Sequence, residues 1–177
     1  AHYNGHTINV FGGIPKEVVI ARIVRWKRKR NNYTSGIVTE VLKPSPHRIS
    51  PPCQYFGTCT GCQWQHIDYK HQLELKRQAV ERQIGEFPEL SGVVVSKPVP
   101  STQTFGYRNH ARFTIGPQGA LGFVNRITRR FVGVEICQLM DPGINETLAQ
   151  LQGHCAETTR QLSTPNAIPP APPALAP

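Results

Sequence analysis

The sequence predicts a mostly β chain with α+β character, namely a small twisted barrel, a cysteine-rich loop and a partial α+β region. Three observations carry this. A segment rich in Val and Ile at 17–26 and an alternating one at 36–43 lie on either side of the polar stretch RNNYTSG, as in strands. The stretch CQYFGTCTGC at 53–62 sets three of the five cysteines close together. Two segments near 70–84 and 145–162 repeat apolar residues at helical spacing, with short β-rich runs between them.

The elements follow in order. EVVIARIVRW at 17–26 and GIVTEVLK at 36–43 are strands, with RNNYTSG as their turn. KPSPHRISPP then breaks regular structure, because Pro44, Pro46, Pro51 and Pro52 cannot donate to a sheet ladder. Short twisted strands in a small basic unit suggest an OB-like barrel over 1–43. A linker and the cysteine loop occupy 44–66. Asp68 caps a helix with Leu73, Arg77, Val80 and Ile84 on one face and Gly85 as its stop. Strands are expected at 92–95, 111–116, 120–125 and 131–136, with GPQG at 116–119 making a hairpin of the middle two. A last helix over 145–162 would bury Leu148, Leu151, Cys155 and Leu162. The α+β region thus covers 67–162. The tail at 163–177 is rich in proline and is expected to be extended or disordered.

The charge of +9 attracts polyanions, of which nucleic acid is the commonest in a cytosol, the alternative being a charge that only keeps the chain in solution. It concentrates in RIVRWKRKR at 22–30, which holds Arg22, Arg25, Lys27, Arg28, Lys29 and Arg30. Such a run repels itself unless a polyanion neutralises it. Trp26 and Tyr33 flank it, and aromatic faces stack on exposed bases. The structural alternative is a solvated edge strand with Trp26 in the core. Tyr107, Arg108 and Arg112 form a second candidate RNA surface beside Asn109 and His110, as do Arg129 and Arg130 in the turn before the next strand. No run is long and apolar enough to span a membrane, and the start AHYNGHTINV lacks a signal-peptide layout. The expectation is a cytoplasmic monomer that binds RNA, with no membrane and no DNA partner.

Cys53, Cys59 and Cys62 are spaced C-x5-C-x2-C. An odd cysteine count without a secretory signal argues against a disulfide scaffold. The spacing suits an iron–sulfur cluster, in which three ligands wrap one loop and a distant fourth closes the site. Zinc stays open as the alternative. Cys137, at a strand end before a Pro/Gly turn, is the better fourth ligand. Cys155, on the helical stripe, reads as a buried structural thiol.

Several strings carry a family resemblance. SPHRISPPCQYFGTCTGCQWQHIDYKHQLELK at 45–75, FGYRNHARFTIG at 105–116 and LGFVNRITRRFVGVEICQL at 121–139 resemble the S-adenosylmethionine-dependent RNA (uracil-5-)-methyltransferases. GGIPKEVVIARIVRWKRKR is similar to the TRAM domain that opens these enzymes. The resemblance implies a 4Fe–4S cluster on Cys53, Cys59, Cys62 and Cys137. The family usually has Gly where Lys16 stands and often where Thr60 stands. The family's Rossmann-like domain, with its Gly-rich S-adenosylmethionine loop, nucleophilic Cys and general-base Glu, has no counterpart in this sequence. Against the family pattern the chain starts after the first barrel strand and stops after the helix that follows the fourth ligand. The resemblance therefore implies an N-terminal portion that is inactive by itself. The competing readings are a stand-alone RNA-binding iron–sulfur protein and a radical enzyme. The second is weakened by the x5 spacing and the fourth cysteine.

Overall fold

The computed structural model describes residues 1–28 and 31–163, with the side chains of 26–28, 31, 32 and 163 outside that description. The expectation for the Pro-rich tail falls on residues outside it. The chain divides into two compact units, Ala1–Thr102 with Asn125–Arg129, and Gln103–Val124 with Arg130–Pro177.

The first unit opens with a hairpin of β1 (His2–Tyr3) and β2 (His6–Thr7). Asn4 and Gly5 both have positive φ, the conformation that a two-residue hairpin turn with right-handed twist requires. The amide of Ile8 donates to the Ala1 carbonyl at 2.8 Å, and the Ala1 amine donates to the Ile8 carbonyl at 3.2 Å. Strand β3 (Asn9–Phe11) then pairs parallel with β5 (Asn31–Lys43), and β5 pairs antiparallel with β4 (Val18–Arg28), giving the order β3-β5-β4. Among the described residues these strands form open sheets.

The long β4–β5 ladder corrects the expected turn. Pairing runs on through Arg25↔Thr34, Trp26↔Tyr33 and Lys27↔Asn32 to Arg28↔Asn31. Most of RNNYTSG is therefore strand, because Tyr and Thr suit the pleat and each gains a cross-strand partner. Register shifts lie between Val18 and Val19 and between Ile20 and Ala21, irregularities of the kind that strengthen twist.

Helix α1 (Tyr69–Ile84) starts where expected, with the Asp68 side chain accepting from the Lys70 and His71 amides at 3.0 and 3.3 Å. Its expected apolar stripe is only partly used. No residue of the helix is fully buried, Val80 is exposed, and Arg77 pairs with Glu74 and Glu81. The expected strand at 92–95 is absent. Val93 and Val94 are exposed there, since β propensity yields a strand only where a partner strand is in reach.

The second unit holds β6 (Thr114–Ile115), β7 (Leu121–Val124) and β8 (Phe131–Gly133) in the order β6-β7-β8. The expected hairpin is present, pairing Thr114 with Gly122 and Ile115 with Leu121. Its turn needs Gly119, whose φ is positive and where a Cβ would collide with the Cys155 carbonyl. The strands are shorter than expected, as pairing stops after two or three residues. Helix α2 (Pro142–Ser163) packs its stripe through Leu148, Gln152, Cys155, Ala156 and Thr159. The expectation for Leu151 and Leu162 fails, since both are exposed. Leu121, Val134, Leu139, Met140 and Leu148 form the unit's core. Among the described residues no helix is long and apolar enough to cross a membrane.

Candidate RNA surface and cysteine loop

The cysteine loop is closed at its neck by backbone pairing. Ile49 donates to the His66 carbonyl at 3.0 Å and Asp68 to the His47 carbonyl at 2.9 Å, so Arg48 faces Ile67 as an antiparallel bridge. Ile67 is among the most buried side chains of the protein. Gln72, from α1, donates to the Trp64 and Ile67 carbonyls at 3.1 and 2.9 Å. Across the neck the rings of His47 and His71 stack with centroids 3.9 Å apart. Burial, then the neighbouring His47, lowers the pKa of His71.

The neck is tied to the β3–β5 sheet by one ion pair. Glu17 has 1% of its side chain exposed and meets Arg48 at 2.6 Å. Its carboxylate accepts from Arg48 Nε and Nη2, and from the Ile14 and Ser45 amides at 2.8 and 3.0 Å. Arg48 also donates to the Gly12 carbonyl at 2.7 Å. The Arg48 hydrogen bonds hold the pKa of Glu17 down to about 2, against the cost of burial. Beside this pair the His66 ring is buried, 5.3 Å from the Phe56 ring. Burial foremost, then the Arg48 charge, lowers its pKa. Glu17, Arg48 and His66 were not legible as a set, because their sequence separation hides the contact.

Within the loop, Phe56 donates to the Cys53 carbonyl at 3.0 Å and Cys59 to the Tyr55 carbonyl at 2.7 Å. Gly57 supplies a positive φ of 85°. Residues 125–129 brace the loop from outside. Asn125 donates to the Thr58 carbonyl at 2.7 Å, and the Arg126 amide donates to the Thr60 hydroxyl at 2.9 Å. Asn125 is itself fixed by the Ile127 and Thr128 amides, both 2.9 Å from its Oδ1. Thr60, where the family often has Gly, thus has a structural use.

The five cysteines are of intermediate exposure and are not joined in disulfides. Cys53, Cys59 and Cys62 share the loop just described. Cys137 lies in the second unit, clamped by Asn145. Its amide donates to Asn145 Oδ1 at 2.9 Å, and Asn145 Nδ2 donates to its carbonyl at 3.2 Å. Among the described residues no group of three or more His, Cys, Asp or Glu side chains converges as a metal site. The donor chemistry nonetheless fits a cluster. Three sulfur donors sit on one ten-residue loop and none is used in a disulfide, and no side chain of 53–62 is fully buried, so the loop has no apolar core of its own.

The candidate RNA residues lie as follows. Arg25 and Tyr33 are exposed on the β4–β5 pair. The side chains of Trp26, Lys27 and Arg28, and all of Lys29 and Arg30, lie outside the described residues. In the second unit Tyr107, Arg108 and Arg112 are exposed. Arg108 is held by backbone bonds to Leu139 and Asp141 at 2.8 and 2.9 Å, beside the turn that follows Cys137. Arg129 is exposed with a positive φ of 60°, and Arg130 is exposed as well. Sequence reasoning missed the cleft beside the first hairpin, lined by residues including Tyr3, Phe11, Arg25 and Tyr33. The Asn4-Gly5 dipeptide was the available signal.

The strand pair bearing Arg25 and Tyr33 and the braced loop bearing Cys53, Cys59 and Cys62 are the features to set beside known proteins. No protein-family profile matches the chain. Curated relatives do. The chain is 34% identical over 149 residues to an "Uncharacterized RNA methyltransferase" of Aquifex aeolicus, covering 84% of this chain and 34% of that protein. It is 33% identical over 174 residues to the "23S rRNA (uracil(1939)-C(5))-methyltransferase RlmD" of Alkalilimnicola ehrlichii, covering 96% of this chain and 37% of the relative. The protein of the same name from Erwinia tasmaniensis is 31% identical over 160 residues, covering 85% and 34%. Over most of its length the chain is thus similar to proteins named as RNA methyltransferases. It spans about a third of the length of the curated relatives it matches.

Proposed function

We propose that the chain is the N-terminal RNA-recognition and iron–sulfur portion of an S-adenosylmethionine-dependent RNA (uracil-C5) methyltransferase. The observation that carries this is the match along nearly the whole chain to a relative named as a 23S rRNA uracil-C5 methyltransferase. In this reading β3–β5 and their hairpin are a TRAM-type OB-like module for RNA. Methyl transfer belongs to sequence beyond the third of the relatives that this chain matches. This chain alone transfers no methyl group and does not hold S-adenosylmethionine.

Cys53, Cys59, Cys62 and Cys137 would hold a 4Fe–4S cluster. When bound, such a cluster supplies thiolate cross-links that stabilise a loop lacking buried side chains. The residues of this chain prepare the loop. Asn125 and the Arg126 amide fix its backbone, Asn145 fixes that of Cys137, and the Arg48–Glu17 pair anchors its neck. The exposed cations and aromatics supply phosphate and base contacts.

Iron and acid-labile sulfide analysis of anaerobically purified protein tests the ligand set. Iron and sulfide in equal amounts are expected. They should be lost on Cys→Ser change at Cys53, Cys59, Cys62 or Cys137 and retained in Cys155→Ser. Zinc without sulfide, or bleaching by Cys155→Ser alone, would refute it.

A further inference from the structure

The hairpin β1–β2 and the sheet enclose a cleft of about 640 Å³ whose lining includes Tyr3, His6, Asn9, Phe11, Arg25 and Tyr33. That volume lies in the range of small-ligand sites. The cleft has a defined origin in the fold. Strand β3 joins β5 only from Ser35 onward, at Asn9↔Ser35, while β5 continues back to Asn31 along β4. The hairpin stands over the space so created. It is no frayed end, since its turn has the required geometry and reciprocal Ala1–Ile8 bonds close its base. Ile8 is buried directly behind it in the chain.

The lining is unlike a core. Tyr3 and Tyr33 are 37% and 40% exposed, and Arg25, His6 and Asn9 are exposed too. Three aromatic rings offer stacking faces, while an amide and an imidazole offer donors and acceptors for a ring edge. Arg25 adds a cation for a phosphate. The backbone register Trp26↔Tyr33, Lys27↔Asn32 and Arg28↔Asn31 sets Lys27 and Arg28 after Arg25 along the same ladder. A polyanion following that run would pass the cleft mouth.

We infer that this cleft seats an unstacked nucleobase of single-stranded RNA, stacked on Tyr3 or Tyr33, with the adjoining phosphate on Arg25. The inference rests on the RNA-recognition reading above and goes beyond it by naming where a base, rather than a phosphate, is held. Stacking of this kind is tolerant of base identity and carries no counterion term, so it is separable from the basic run, whose contribution depends on salt.

The test uses the full chain, purified anaerobically, and fluorescence anisotropy with two labelled 12-mers of equal charge, oligouridylate and an abasic ribitol-phosphate spacer. Wild type should bind oligouridylate about tenfold more tightly than the abasic oligomer, the effect of one stacked base. Tyr3→Leu and Tyr33→Leu should each erode that preference and leave the salt slope unchanged. Tyr3→Phe and Tyr33→Phe should keep it. Equal wild-type affinity for the two oligomers would overturn the inference without reference to any variant, and would leave the cleft to a polypeptide. Failure to bind either oligomer would instead overturn the RNA reading itself.

Discussion

Replacing Glu17 by Gln should uncouple the cysteine-loop neck from the sheet. Glu17 is buried and accepts four hydrogen bonds, two of them from Arg48. A carboxylate whose pKa is held at about 2 rather than 4.5 is stabilised by about 3 kcal/mol in its ionised form. Gln keeps the shape and one acceptor oxygen, but it turns an NH2 group toward donors and removes the anion that pairs with the Arg48 charge. The expected loss at pH 7 is therefore about 3 kcal/mol, the range for breaking one side of a buried pair. The folded-state pKa lies below the unfolded one, so the contribution is complete above pH 4.5 and vanishes as pH falls toward 2. At pH 3 the gap between wild type and Glu17→Gln should shrink to about 1.4 kcal/mol. Urea unfolding followed by tryptophan fluorescence measures this, since Trp26 and Trp64 both belong to the first unit. A gap below about 1 kcal/mol at pH 7, or one that stays constant down to pH 3, would refute the reasoning.

Three further outcomes are expected. Lys16 has a φ of 73°, so Lys16→Gly should stabilise the first unit by about 1 kcal/mol, read as a raised urea midpoint; a lowered midpoint would refute it. Asp68→Ala should cost about 1 kcal/mol through loss of the α1 cap, and Asp68→Asn much less, checked in the same unfolding assay. For RNA binding, the log–log salt slope should be about −2 to −3 if three or four cations of the basic run touch single-stranded RNA. Changing Lys27, Arg28, Lys29 and Arg30 to Ala should flatten it, and an unchanged slope would make the run a solvated edge.

Local chemistry was legible where one short stretch decided it. Asp68 sits before a helical periodicity and caps it. GPQG lies between two β-rich runs and turns them, with Gly119 required by both its φ and the nearness of α2. Lys16 stands where the family that the sequence resembles usually has Gly, and its positive φ is a conformation that suits Gly. What failed depended on partners. The Val run at 92–95 has the composition of a strand but no neighbouring strand, whereas Asn31–Thr34 reads as a turn and becomes strand because β4 extends alongside it. On α2, Leu151 and Leu162 follow an apolar spacing, yet the buried stripe runs through Gln152, whose amide reaches the Val134 carbonyl at 2.7 Å. Burial followed the available hydrogen bond there rather than hydropathy.

The cysteines show the same division. Their spacing made them conspicuous, but spacing says nothing about what holds the backbone that bears them. In the structure that work falls to two asparagines far along the chain. Asn125 spans from the Thr58 carbonyl to the Ile127 and Thr128 amides, and Asn145 closes a two-way clamp on Cys137. An Asn side chain has both a carbonyl and an amide, so each can accept and donate at once. Asp could not donate, and Ser could not span the same distance with both functions. These two braces are neutral hydrogen bonds, and the charged contact of the loop is confined to its neck, where Arg48 meets Glu17. Neither asparagine thereby sets a fixed anion beside a cysteine of its segment, as a carboxylate in its place would.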